Sequence, residues 1–440
     1  MSEEEFIEKL KKECDWAELF YQQKKSLSIE FDYDKLKSLE NKESSGVALR
    51  LVKDGKIGFS NSAILDQRII EYALSVAKFG NKCFYIPPDS PNIKEDIIDS
   101  KIEEIDTDAM IEQGNKIIKK IKKYNPEVTV SVGFGKGWEH VKICNTKGLN
   151  SEFRKNYFSM GFRGTVFEEG NILDWWKGTE KLLTEKEYDQ IIEEFIEEFK
   201  IMRNNVSINT GKLPMILAPE SLPWILKALE EGVHGENVYK KVSPLTEKLN
   251  DQVMNEKFSL IDDGTLDQAS GTYPFDDEGV KTSKKYIFNK GILLNYLHNL
   301  ETSYLLKQNP TGNGFRTRFL SGRDYMIKPG IEITNWIIEP GDMSLDEMLS
   351  DIKEGILLKF SPDCWQSNII NGEVQGSIVV GLKIENGKLV GRVKDLSFSC
   401  NIYDLFNKQL VGLGDTLYTP GTSDSNYRLP YIYVKDISVS

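Results

Sequence analysis

Histidine is scarce. Among 440 residues there are three, His140, His234 and His298, so any mechanism needing two neighbouring histidines is restricted before spacing is considered. The common local signatures of hydrolysis and phosphoryl transfer are missing too: there is no HExxH, no GxSxG nucleophile elbow and no GxxxxGKS or GxxxxGKT phosphate loop. The five cysteines, Cys14, Cys83, Cys144, Cys364 and Cys400, are odd in number and never form CxxC. That excludes a disulfide framework and a thiolate zinc site, and leaves reduced, mostly buried thiols. No run approaches the ~18 apolar residues of a membrane-spanning helix. The N-terminus MSEEEFIEKLKKE has no apolar leader core, so a cytoplasmic protein without a membrane partner is expected. Positive charge is short as well: 56 Lys and Arg against 68 Asp and Glu give a net charge of -12, which repels a phosphate backbone and argues against nucleic acid. The densest basic run, IIKKIKKY, reads as a solvated helix face with Ile117, Ile118 and Ile121 on its apolar stripe.

What is present is ordinary soluble composition, 40% hydrophobic and 28% charged, on a chain long enough for two or three domains. An amphipathic helix with Phe6, Ile7 and Leu10 comes first, and alternation then predicts strands in ELFYQQKKSLSIEFD and in GVALRLVKDGKIGFSNS, the latter a hairpin turning at Asp54-Gly55. Helices are expected over 64–78, 107–124 and 184–204, with strands at EVTVSVGF, HVKICNT and EFRKNYFSMGFRGTVF between the last two. GFGKG, from Gly133, reads as a hairpin loop, because the segment after it is strand-like and offers no helix N-terminus to a phosphate. The domain boundary falls near NNVSINTGKLP, giving residues 1–208 and 209–440. The fold class is α+β: an N-terminal α/β-type domain with antiparallel hairpins and helices, then a β-rich domain interrupted by a helix over 344–354.

The stretch ALEEGVHGENVYKK carries most of the chemistry. Leu222, Ile225, Leu226, Leu229 and Val233 form one apolar helical stripe after Pro219, while Glu230 and His234 lie one turn apart on its flank, placed to hydrogen-bond each other or to share a ligand. Glu231 and His234 also make ExxH, but a di-iron helix needs a second such pair and none is present. A helix-end ion pair before Gly235 is the structural alternative.

This helix, with NVYKKVSPLTEKLNDQV, YPFDDEGVKTSKKYIFNKGILLNYLHN, PTGNGFR and IENGKLVGRVKD, resembles the TldD/PmbA family, whose second member is also called TldE. The resemblance covers essentially the whole chain, and PFDDEG followed by TGN is its most specific part. It implies a two-domain α+β protein related to zinc peptidases that process peptides, with TldD-type chains working beside a TldE-type partner. Metal-bearing members carry HExxxH in this helix, the glutamate as general base and the histidines as zinc ligands, and a cysteine near the C-terminus as third ligand. Here the motif reads Leu229-Glu230-Glu231-Gly232-Val233-His234, so Glu230 and His234 match the glutamate and second histidine, and Leu229 replaces the first. The final GTSDSNYRLPYIYVKDISVS has no cysteine. Leucine offers no lone pair, and catalytic zinc needs three protein ligands and an open position. The resemblance therefore points to the PmbA/TldE type, with no cofactor expected in this chain and zinc in a TldD-like partner.

Three readings follow. In the first, the chain is the metal-free partner of a TldD-like subunit, or a dimer with itself, handling an unfolded peptide that a sheet edge of the β-rich domain holds by strand addition. In the second it is a self-sufficient metallopeptidase drawing ligands from Asp276, Asp277, Glu278 or His298 beside His234. The third, a modulator of DNA gyrase, comes from an old family name. The acids next to Gly279 suit a turn beneath the cleft, with positive φ at Gly279, and Thr311, Gly312 and Asn313 form a second turn motif. Helical HExxxH histidines sit about 140° apart, so a metal helix must distort. Without metal the distortion is expected to relax, and His234 to hydrogen-bond a carboxylate or carbonyl.

Overall fold

The computed structural model describes residues 3–90, 92–168, 171–318, 322–421 and 426–440. The N-terminal half opens with α1 (Glu3–Glu13), β1 (Trp16–Asp32), β2 (Lys35–Lys53), β3 (Lys56–Ser62) and α2 (Arg68–Ala77). It continues with β4 (Lys94–Ile97), α3 (Ser100–Glu104), α4 (Thr107–Tyr124), β5 (Thr129–Asn145), β6 (Asn150–Glu168), β7 (Asn171–Thr179) and α5 (Glu185–Arg203). The strands make one sheet, ordered β3-β2-β1-β5-β6-β4, with β7 also on β6. All its pairs are antiparallel except β4 with β6.

Alternation decides what each face does. Ile29, Phe31, Val132, Phe134, Phe158, Met160 and Phe162 point to one face, where Ile117, Ile118 and Ile121 of α4 and Ile192, Phe195 and Phe199 of α5 bury them. The lysines of α4 stay outward, several paired with acids such as Glu185 and Asp189. Phe6 and Leu10 of α1 and Ile69, Ile70 and Ala73 of α2 cover the rest of that face. On the opposite face, Phe20, Ile143 and Phe153 pack against Phe275 from the second half.

Three expectations change. GFGKG is no loop: β5 runs through it, paired with β1 and β6 along its length, and Gly133, Gly135 and Gly137 alternate on the sheet's second face. Glycine in a strand leaves backbone bare for a close approach, and such a strand interior resembles a turn by composition alone. The helix expected over 64–78 is shorter, Arg68–Ala77, and the one expected over 344–354 is Leu345–Ser350, because Glu354 already starts a strand. Helix α4 has the expected bounds, and α5 lies between its caps Thr184 and Asn204.

In the second half β8 (Gly211–Leu217) lies inside an eight-stranded sheet, parallel to Glu354–Phe360 on one side and antiparallel to Ile432–Val439 on the other, among the described residues. Leu260–Asp263 is central in a smaller sheet beside Lys284–Asn289 and Trp336–Ile338. Between the two sheets lies α6 (Leu222–Val233), followed by α7 (Gly235–Tyr239). Among the described residues no helix is long and apolar enough to cross a membrane.

Candidate functional site

Helix α6 forms because its stripe is consumed by the core. Leu222, Ile225, Leu226, Leu229 and Val233 are all fully buried, and Pro223 occupies the first turn, where a missing N–H costs nothing. The helix stops at His234, which takes an extended conformation (φ -68, ψ 117). Gly235 N donates to Leu297 O at 2.9 Å and Leu297 N to Val233 O at 2.9 Å, so a strand-like bridge holds the break. Ser243 Oγ and Asn237 Nδ2 donate to the carbonyls of Gly232 and Glu231 at 2.6 and 3.0 Å, satisfying the helix end. The expected relaxation of this helix is therefore corrected: the chain breaks at the motif, and backbone bonding keeps it broken. Gly235 is needed there, since a Cβ would meet His298 Nδ1 at 2.5 Å.

Leu229 is 0% exposed, so the position of a first zinc ligand belongs to the core. Glu230 does not bond His234. Its Oε2 accepts from Lys227 Nζ at 2.7 Å and its Oε1 accepts the Tyr427 hydroxyl. A carboxylate so neutralised and satisfied is a helix-flank anchor. The Nδ1 of His234 is buried without a hydrogen-bond partner, while the ring makes the expected bond to a backbone carbonyl, that of Ile331. Burial holds the imidazole below its ordinary pKa, against the pull of Glu231, Glu236 and Glu230 and of the Ile331 backbone. His298 is also depressed by burial, its ring bonded to Gln308 Oε1 at 2.9 Å and Thr302 Oγ1 at 3.3 Å.

The acids of PFDDEG go elsewhere. Asp276 is fully buried and accepts the N–H groups of Glu278, Val280 and Gly314 at 2.8–2.9 Å. Burial and the neighbouring Glu278 raise its pKa, and burial raises that of Glu278 as well. Asp277 accepts from Arg316 N at 2.7 Å and from the guanidinium of Arg323. Glu278 Oε1 takes Arg50 Nη1 at 2.6 Å and its Oε2 takes Leu300 N at 2.6 Å. Gly279 has φ +80. In the second motif Thr311 Oγ1 exchanges hydrogen bonds with the backbone of His298, Gly312 has φ +71, and buried Asn313 donates to Asp262 Oδ2 and Glu332 O at 3.0 and 2.8 Å. These residues build turns and a joint, and none of them is brought to His234 as a ligand. Among the described residues no three His, Cys, Asp or Glu side chains cluster to hold a metal. Residues 422–425, in the stretch without a cysteine, lie outside the described residues. The donors present do not fit a three-ligand zinc centre.

Sequence reasoning missed the joint itself. Arg50 in β2 bridges Glu18 and Glu278, Arg316 reaches Glu18 at 3.1 Å, and Arg323 pairs with Asp277 and with Glu139 of β5, all of them buried. The available signal was Arg50 inside the apolar run VALRLV. Lys155 of β6 extends the joint, donating to the carbonyls of Ala269 and Thr272 at 3.1 and 3.0 Å and to that of Ser270, and burial pushes its ammonium down to about 8. Beyond it the second face of the N-terminal sheet opens, among the described residues, into a cavity of about 1000 Å³, floored by glycines in register, Gly133 opposite Gly161 and Gly161 opposite Gly178, with Tyr157, Trp176 and Tyr273 at its sides.

Three family models match the chain, those of the PmbA/TldA metallopeptidase C-terminal domain over residues 210–440, domain 1 over 17–77 and the central domain over 100–203. A metalloprotease of Methanocaldococcus jannaschii is 31% identical, over 92% of this chain and 91% of its own. The fold is that of TldE from Thermococcus kodakarensis (TM-score 0.86, 19% identity, 99% of each chain). It also matches a Thermotoga maritima protein described as a candidate modulator of a DNA gyrase (TM-score 0.85, 23% identity, 100% of each chain).

Proposed function

Because the chain belongs to the PmbA/TldD metallopeptidase family, we propose that it serves peptide processing as the TldE-like, metal-free partner of a TldD-like subunit that carries the zinc. The observation that carries this reading is Leu229, buried in the core where the resemblance puts the first histidine ligand. Glu230 is held by Lys227 and Tyr427, one on each carboxylate oxygen, and does not bond His234. With the acids of PFDDEG spent on the joint, no ligand set for a self-sufficient peptidase is found among the described residues. A gyrase-directed role would act by protein contact, since a net charge of -12 opposes binding to DNA.

The test is reconstitution with a reduced, denatured polypeptide as substrate. The pure chain leaves it intact, and addition of a TldD-like chain with intact HExxxH produces cleavage that a chelator stops and that exceeds what the TldD-like chain achieves alone. Chelator-sensitive cleavage by the pure chain returns it to the enzymes.

A further inference from the structure

Strand β6 has neighbours on its outer side at both ends and a gap between them. β4 pairs with it from Glu152 to Lys155, and β7 from Met160 to Glu168. Residues 156–159 have no strand on that side among the described residues. Asn156 is closed off by an amide that imitates backbone: its Oδ1 accepts from Asp99 N at 2.9 Å and its Nδ2 donates to Asp99 O at 2.8 Å. Tyr157, Phe158 and Ser159 remain. Successive residues of a strand direct their N–H and C=O groups alternately to the two sides; Glu152 and Arg154 turn their N–H groups outward, to Ile93 O and Asp96 Oδ1, so Phe158 presents its backbone donor and acceptor outward while Tyr157 and Ser159 turn theirs to β5.

Among the described residues the space beside this stretch is open. Two cavities, of about 1000 and 860 Å³, meet here, and both are bordered by Tyr157, Phe158, Thr179 and Glu180. We infer that this gap is a strand-addition slot for an extended peptide, which completes the sheet between β4 and β7. At ~3.3 Å per residue the missing stretch takes three or four peptide residues. Its backbone supplies the hydrogen bonds, and alternate side chains choose between two walls. Below lie Ile102 and Leu182, which pack on the helix-covered core; above lie Lys155 and Tyr273 at the joint. The ligand class is therefore an extended peptide with apolar residues at every second position. The slot is in the N-terminal sheet, where the sequence reading looked to the β-rich half.

The inference supplies the peptide contact that the partner reading needs, but it is tested by binding alone. The probe is the capped pentapeptide acetyl-Val-Lys-Val-Lys-Val-amide, titrated into the full chain with no TldD-like subunit present. Two analogues, N-methylated at both lysines or at all three valines, each block one edge of the peptide strand. The parent peptide is expected to slow hydrogen exchange of the outward amide of Phe158 at least tenfold, and one analogue to lose at least tenfold in affinity while the other keeps it. Equal binding by both analogues, unchanged exchange at Phe158, or no binding by the parent overturns the slot. If the slot fails while reconstituted cleavage succeeds, the partner role stands without it; binding at the slot without restored cleavage removes the partner role and leaves the slot.

Discussion

Replacing Gly279 by valine tests how the PFDDEG turn is built. The residue has φ +80, and a Cβ added there would lie 2.2 Å from Leu149 Cδ2, a buried side chain of the turn between β5 and β6. Two costs add. A left-handed conformation costs a residue with a Cβ about 1–2 kcal/mol, and forcing extra volume into packed surroundings about 1–3 kcal/mol. Gly55 separates them, because it has φ +71 with nothing within 4 Å of its would-be Cβ. Gly55→Val therefore pays the conformational part alone, and Gly279→Val the sum, about 2–5 kcal/mol. At about 2–4 °C per kcal/mol for a unit of this size, calorimetry should show Gly279→Val melting about 4–20 °C below the parent and well below Gly55→Val. Equal losses in the two variants would remove the packing argument. An unchanged melting temperature for Gly279→Val would remove both.

Arg50→Met leaves Glu18 and Glu278 buried without their shared cation, and urea denaturation should read a loss of about 3–5 kcal/mol. His234 and His298 have folded pKa values below their ordinary value, so their neutral burial stabilises the fold above about pH 6.5 and the benefit is lost as pH falls toward the folded values. The melting temperature should accordingly fall between pH 7.5 and 5, and fall less in His298→Gln. Leu229→His should lower stability by about 2–4 kcal/mol through loss of core packing, and elemental analysis of protein purified without tag metal should find no stoichiometric zinc in it, because a third ligand is still absent.

The legible parts of the fold were those where one local rule acts alone. Helix α4 shows its bounds because Asp106 caps it and a single apolar stripe runs to Tyr124. The hairpin at Asp54-Gly55 shows because two residues of positive φ need such a pair. GFGKG misled because a glycine-rich strand interior has the composition of a turn: Gly133 belongs to a lane of glycines that crosses to Gly161 and Gly178 on neighbouring strands, and a window of ten residues cannot distinguish that lane from a turn. The gap beside β6 was invisible for a related reason. It is set by where β4 ends, with Ile97 opposite Lys155, and where β7 ends, with Thr179 opposite Met160, and no property of Tyr157, Phe158 or Ser159 announces it.

The site divides the same way. Leu229 was readable as core because a missing ligand and an apolar stripe coincide at one position, and burial follows from the stripe. The roles of Asp276, Asp277 and Glu278 were not readable, since three consecutive acids suit a metal, a turn or an ion-pair joint equally well until their partners are known. Those partners, Arg50 and Arg323 above all, come from other elements, and each buried charge here is tolerable only while its counter-charge is in place. PFDDEG therefore serves the fold independently of any metal, because its acids join the two halves through buried ion pairs.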